Sequence, residues 1–357
     1  MGNTLSRNYN TLLTHAQDNI YKSGLFQDTF AKMTPTWAKM TDSGRVFTED
    51  GGAKLRVNLL TEANDTWKSY KGYEDFDVTP QDGMTAAFYD RAQYSGTVSI
   101  SGIEEHIAGG ANKIGDILED KIQQLLISSS QGMNADLLDV GVLADSGTSG
   151  PGNGGRNILS IGALIQKNPA LSHIVGGINQ LSGVGGTWRN QTLDFGAGVD
   201  TTISLVNKLR KLYNDCSKGG AGFPDLGLMD QTTFENYEAH LDQKVRYTDA
   251  ESSKATSGFQ GIKYKSAELY WDEMMPDIEN GLNYDATPTE GSVYFMNTSA
   301  MKLAQATGKD FAPTPFEWTA RQDARVAAWL WYGQLMALNR RNLGCLYGIT
   351  KILTIST

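Results

Sequence analysis

The chain is poor in the residue types that announce chemistry. Its 357 residues include two cysteines, Cys216 and Cys345, and four histidines, His15, His106, His173 and His240, none with a second ligand at metal-binding spacing. No metal or other cofactor is therefore expected, and the cysteines read as free thiols of a reducing compartment rather than a disulfide framework. No Gly-x-Ser-x-Gly turn occurs, and neither cysteine has the basic and histidine neighbours that would activate it as a nucleophile. The glycine-rich run at 147–155 lacks the Gly-Lys-Ser/Thr of a phosphate cradle. Basic residues are also scarce, 31 against 40 acidic for a net charge of −9, which argues against a protein built to grip phosphates. The small basic clusters, Lys208 with Arg210 and Lys211, then Arg340 with Arg341, read as solvated or interface charges. Long apolar runs are missing too: the longest, 326–338, is too short and interrupted to span a bilayer. The start has no apolar secretion signal. It matches the N-myristoylation pattern at Met1 to Ser6, but no polybasic stretch or second lipid signal accompanies it. No membrane association is expected.

Glycine, by contrast, is abundant: 39 residues, against roughly 25 at the usual frequency of about 7 percent, point to many turns and close backbone approaches. The most strongly patterned stretch runs from Gln93 to Leu138. Tyr94, Val98 and Ile100 alternate with polar residues, which is the period of a half-buried strand. Beyond Ser101-Gly102 the period lengthens, and Ile103, Ile107, Ala111, Ile114, Leu118, Ile122, Leu125, Ser129, Met133 and Leu137 draw one apolar stripe along a helix. Some 35 residues would make a rod of roughly 50 Å. Gly109, Gly110 and Gly115 each cost up to about 1 kcal/mol of helix propensity, so the rod must be held by packing along its length, with a kink near them.

In chain order, Tyr9 to Tyr21 carries a short helical pattern in what looks like a docking arm. Alternation from Ala53 to Leu59 predicts a strand able to pair with the Gln93 strand as an antiparallel ribbon. The residues between, Thr61 to Arg91, carry Trp67, Tyr70, Tyr73, Phe76, Phe88 and Tyr89 without helical or strand period. A structureless stretch that long does not belong inside a compact domain. It fits a hairpin arm from Lys54 to Ile100 whose rings are buried only on assembly, and which reaches at most roughly 75 Å. Further on, Val199 to Tyr213 reads as a helix and Leu226 to Met229 as a short buried strand. Asp230 heads a capping sequence for a helix to about Val245, and Ala267 to Trp271 and Ser292 to Met296 read as strands. In the final apolar run Trp329, Trp331, Tyr332 and Gly333 favour a long strand covered on both faces.

This order of parts resembles the tailed-phage major capsid proteins of the HK97 type. The residues carrying the likeness are Lys54 to Leu60, Asp77 to Pro80 followed by Thr85 to Phe88, Val98 to Glu104 opening the helix, Trp188 to Gln191, Asp272 to Pro276 with Tyr294 to Asn297, and Gly333 to Gly348. The resemblance implies an α+β fold: an N-terminal arm at 1–47, an extended β-hairpin loop at 48–100, a peripheral domain with a long spine helix at 101–200, an axial α/β domain at 201–320, and a strand returning to the peripheral domain at 321–357. It implies a self-assembling, non-catalytic subunit that forms pentamers and hexamers of an icosahedral virion shell. That shell would be assembled in the host cytoplasm and would enclose DNA without sequence-specific binding. Only about 50 residues precede the loop, so a separate scaffolding protein, or a chain in mature form, is expected alongside portal and decoration proteins. Trp67, Tyr70, Tyr73 and Phe76, near the loop tip, are the expected subunit-interface residues. Two other readings stay open: an encapsulin-like compartment shell, and a carbohydrate-active enzyme with Trp329, Trp331 and two carboxylates lining a sugar cleft.

Overall fold

The computed structural model describes residues 34–42, 45–108, 111–138, 156–169, 174–181, 187–196, 202–219, 222–242, 262–275, 291–318 and 322–349. The expected arm helix at 9–21, the N-terminal acylation pattern and the 147–155 glycine run lie outside them. The described elements are α1 (Pro35–Met40), β1 (Val46–Glu49), β2 (Leu55–Leu60), β3 (Met84–Tyr89), β4 (Ala92–Ser101), α2 (Gly102–Ala108), α3 (Ala111–Leu138), α4 (Ile161–Leu164), β5 (Ile174–Val175), β6 (Ile178–Asn179), β7 (Gln191–Asp194), α5 (Thr202–Cys216), β8 (Leu226–Met229), α6 (Gln231–Asp242), β9 (Ile262–Tyr264), β10 (Ala267–Trp271), β11 (Gly291–Met296), β12 (Met301–Ala306), β13 (Ala312–Pro313), β14 (Glu317–Trp318), β15 (Ala324–Ala337) and β16 (Gly344–Ile349).

One sheet is built around β15. Along one edge β15 pairs antiparallel with β12, β13 and β14 in turn, and along the other with β4 from Ala92 to Ser101. Beyond β12, β1 adds in parallel. The expectation that β15 is covered on both faces holds for its second half: Gly333 to Ala337 are buried without a break, while from Ala324 to Leu330 only Ala327 is.

The second sheet has the order β7-β16-β11-β8-β10-β9. Helices α5 and α6 cover one face, where Leu205, Leu209, Leu212, Phe234 and Tyr237 meet Met229, Leu269, Val293, Phe295 and Leu346. The other face, with Leu228, Tyr270, Tyr294 and Cys345, joins a core shared with Trp37, Met133, Leu137 and Trp331. A sheet buried on both faces has no reason to alternate, hence the unbroken burial of β8 and β11. Asp230 caps α6 as expected: its Oδ2 accepts from Thr233 N at 3.0 Å, and its Oδ1 accepts from Ser292 N at 3.0 Å, which ties the cap to β11.

Two expectations need correction. The Ala53–Leu59 strand does not pair with the Gln93 strand. β2 pairs with β3 from Leu55↔Tyr89 to Leu60↔Met84, and β4 belongs to the β15 sheet. A strand therefore lies inside the stretch read as structureless, and Tyr89 is buried by its own chain. The spine also differs from one evenly packed rod. It comprises α2 and α3, with Gly109 and Gly110 between them outside the described residues. Met133 and Leu137 at its C-terminal end are buried, Ile122, Leu125 and Ser129 are half-buried, and Ile103 is exposed. Ser101 and Glu104 start α2 with a reciprocal capping box: Ser101 N donates to Glu104 Oε2 at 3.1 Å, and Glu104 N to Ser101 Oγ at 3.3 Å. Lys121 Nζ on α3 reaches the same Oε2 at 3.1 Å and so joins the two helices. α3 lies on β4, where Gly96 leaves room for Leu125, and it meets β15 chiefly through β4.

Candidate assembly surface

The four ring residues predicted as an interface occupy the segment between β2 and β3. Thr61 N donates to Gly83 O at 2.9 Å and closes the ribbon, and from there to Gly83 the chain forms neither helix nor strand. Local turns shape it: Asn64 Oδ1 accepts from Thr66 N at 2.9 Å, and Asp77 Oδ1 from Thr79 N at 3.1 Å. The Thr79 hydroxyl and then its backbone N–H hold the Asp77 carboxyl below its ordinary value. Trp67 is 93% exposed, Tyr70 58%, Tyr73 105% and Phe76 68%. Tyr70 and Phe76 touch edge to face at 5.0 Å, but both stay exposed, with no core of the described residues over them. Around them six carboxylates, on Glu62, Asp65, Glu74, Asp75, Asp77 and Asp82, outnumber Lys68 and Lys71. The segment is thus both acidic and aromatic.

The apolar surface continues down the ribbon, and of this part the sequence reading names only Phe88. Leu55, Val57, Leu59, Ala87 and Tyr89 turn inward, while Leu60, Met84 and Phe88 are exposed on the opposite face, with Val78 exposed on the segment above. Inward, the ribbon rests on the β5–β6 hairpin through Phe88 N donating to Gly176 O at 2.9 Å. Its root is pinned by ion pairs that join its two ends, Lys54–Asp90 at 2.9 Å and Arg91–Glu49 at 3.6 Å; Arg91 Nη2 also donates to Gly51 O. Gln334 Nε2 on β15 donates to Asp90 O at 2.8 Å.

Of the two tryptophans weighed for a sugar cleft, Trp329 is half-buried on β15 and Trp331 is built into the core. Trp331 is 0% exposed, packed edge-on against Trp37 at 5.9 Å and Tyr94 at 5.7 Å, so it cannot line a sugar cleft. Cys216 and Cys345 are both free and buried, as expected. Burial raises both thiols, Cys345 to about 12, which leaves them protonated and inert at neutral pH. Asp272, one of an adjacent acidic pair, is a buried hydrogen-bond acceptor. Arg340 is not the solvated or interface charge that its sequence suggests; it is 0% exposed. Among the described residues no group of histidine, cysteine and carboxylate side chains could hold a metal, and no helix is long and apolar enough to cross a membrane.

No family model and no curated protein matches the chain. Solved structures do. The capsid asymmetric unit of cyanophage A-1(L) is 12% identical, with a TM-score of 0.60 over 91% of this chain and 95% of that one. The SrpI encapsulin of Synechococcus elongatus PCC 7942 is 11% identical, with a TM-score of 0.53 over 93% and 94%. The capsid of cyanophage P-SCSP1u is 12% identical, with a TM-score of 0.52 over 91% of each chain. Identities this low speak for architecture, and nearly the whole chain takes part in it. The chain has the mixed α/β, HK97-type fold of tailed-phage major capsid proteins, which the encapsulin shares.

Proposed function

We propose that this chain is a major capsid protein, a structural and non-catalytic subunit that assembles with copies of itself, through pentamers and hexamers, into an icosahedral shell around double-stranded DNA. The observation that carries the reading is the segment at 61–83, whose four large rings are exposed among the described residues. Contiguous exposed apolar surface of this kind marks interfaces, and on a fold shared with capsid proteins its natural cover is a neighbouring subunit. Trp67, Tyr70, Tyr73 and Phe76 are then the anchors of the contact. A contact between different patches of identical subunits closes into rings where its rotation allows, which is the case that a shell requires. The net charge of −9 suits a container that encloses DNA without gripping it.

In this reading the extended loop spans 50–91. The peripheral part combines the spine helix with the β15 sheet. That assigns 301–318 to it, because β12, β13 and β14 pair with β15. The second sheet with α5 and α6 forms the axial part. Assembly in the host cytoplasm, a separate scaffolding protein, a portal and decoration proteins complete the proposal, with the virion as final location. Electron microscopy and light scattering of the purified chain test it: closed particles or rings are expected, and a monomer at every concentration overturns it. The likeness to an encapsulin favours a second reading, a compartment shell. Particles purified from the native source would then contain protein cargo instead of DNA.

A further inference from the structure

Arg340 follows β15 at the point where the chain crosses from one sheet to the other, and its guanidinium is wholly enclosed. Its partners are all neutral. Nε donates to Leu164 O at 2.9 Å, Nη1 to Gln180 Oε1 at 2.9 Å and to Trp188 O at 3.0 Å, and Nη2 to Asn190 Oδ1 at 3.1 Å. Those acceptors are themselves cross-linked: Gln180 Nε2 donates to Gln166 Oε1 at 2.6 Å, and Gln166 N to Asn190 Oδ1 at 3.1 Å. Burying a cation without a carboxylate is costly, and an apolar side chain would serve stability better. What a planar fork of donors supplies is fixed geometry among the segments that it joins.

The segment that it fixes carries the extended loop. Gln180 directly follows β6, and Trp188 Nε1 donates to Val175 O on β5 at 3.1 Å, so the hairpin is gripped on both strands. Its turn residue Gly176 has φ +62°, and a Cβ there would lie 2.8 Å from Ala87 Cβ and 3.2 Å from the Tyr89 ring. Gly176 O is the acceptor for Phe88 N. Tyr89 OH then donates to Ala337 O at 3.2 Å, three residues before Arg340, and closes a circuit of contacts. We propose that Arg340 is a positioning residue for assembly: by holding the β5–β6 hairpin it seats the β2–β3 ribbon and so sets where the aromatic tip is presented to the neighbouring copy. The consequence for particles rests on the shell reading; the coupling inside the subunit does not.

Hydrogen exchange of the full chain, run beside particle counts by electron microscopy, tests this with Arg340→Lys, which keeps the charge and loses the fork, and Gly176→Ala, which leaves the node intact and disturbs only the seat. Both are expected to speed exchange of the Phe88 amide about tenfold or more, while amides of β8 and β11 stay within about twofold of wild type. Closed particles should become scarcer in both. Unchanged exchange at Phe88, or equal loss of protection in ribbon and second sheet, would reduce Arg340 to an ordinary core residue. Faster exchange with a normal particle count would overturn the positioning role and leave the shell reading standing. If the wild type forms no particles, the shell reading fails and the exchange comparison alone decides the coupling. Should Arg340→Lys not fold, Gln180→Met, which removes the acceptor by which Arg340 holds the hairpin, carries the decision on the same two readouts.

Discussion

Asp272, on the turn after β10, has no ion-pair partner among the described residues and is held by donors from two distant parts of the chain. Thr36 Oγ1 donates to its Oδ2 at 2.6 Å and Thr36 N at 3.2 Å, while Asn134 Nδ2 lies 3.1 Å from Oδ1 and 3.0 Å from Oδ2. Asn134 Oδ1 accepts from Trp37 N at 2.8 Å, so one buried amide fastens α1, α3 and the second sheet together. Replacing Asn134 by Leu removes a donor from a buried carboxylate and an acceptor from a buried N–H. The expected loss is about 3 kcal/mol in denaturant unfolding. Lys54→Ala, which breaks only the exposed pair with Asp90, should cost less than about 1 kcal/mol. Alkali gives a second test at this scale. Burial raises the Tyr89 phenol and the Cys345 thiol each to about 12, so the native state keeps protons that the unfolded chain releases earlier. Their stabilisation is complete below the ordinary values of about 10 and about 8.5 and is lost as pH rises through the folded ones. Burial lowers Arg340 to about 10, which acts in the opposite sense. Tyr270 and Tyr294, both raised mainly by burial, act with Tyr89, so the balance is loss. Stability should fall continuously above about pH 9, with the tyrosinate absorbance of the buried phenols appearing in one cooperative step with unfolding.

At the scale of elements, β15 is the piece on which the first sheet depends, and Gly333 is its tightest point. A Cβ there would come within 2.4 Å of Ala304 O on β12 and 2.6 Å of the Trp331 ring. Backbone on one side and a fully buried indole on the other leave little room to relax. Gly333→Ala should therefore cost about 3 kcal/mol, read as a lower melting temperature, because overpacking forces strain into the ladder. β15 was legible in the sequence because its aromatic content outweighed its missing period. β3 was not legible: its outward residues, Met84 and Phe88, are as apolar as the inward Tyr89, so hydropathy does not alternate. With β3 unseen, only two alternating strands were left to join, and β2 was paired with the wrong one. The α2 start was read from the change of period after Ser101-Gly102, while the capping box that makes it, legible in the spacing of Ser101 and Glu104, was overlooked. Arg340 was not legible. Charge in sequence indicates the surface, and its acceptors come from 164, 180, 188 and 190, which only the fold brings together.

For the whole molecule, the question is what the projecting rings contribute before and after assembly. In the single subunit Trp67, Tyr70, Tyr73 and Phe76 are exposed beyond the point where the ribbon closes, while the inward faces of β2 and β3 supply the local core. Truncating all four to Ala should therefore leave the circular dichroism and melting temperature of the subunit within error of wild type. If the chain forms the proposed shell, the expectation reverses between subunits. A ring buried in a well-packed contact contributes about 2 kcal/mol or more, and a closed shell repeats that loss at every equivalent contact. The variant should stay soluble and folded yet form no closed particles at protein concentrations where the wild type assembles. A milder variant, Phe88→Ser on the outward face of the ribbon, should lower particle yield without abolishing it, because it removes one exposed ring and leaves the tip intact. Measuring particle yield and subunit melting on the same preparations separates the possibilities. Normal particles from the quadruple variant would mean that the tip is not an interface. A large drop in its melting temperature would mean that those rings cover a core within their own chain.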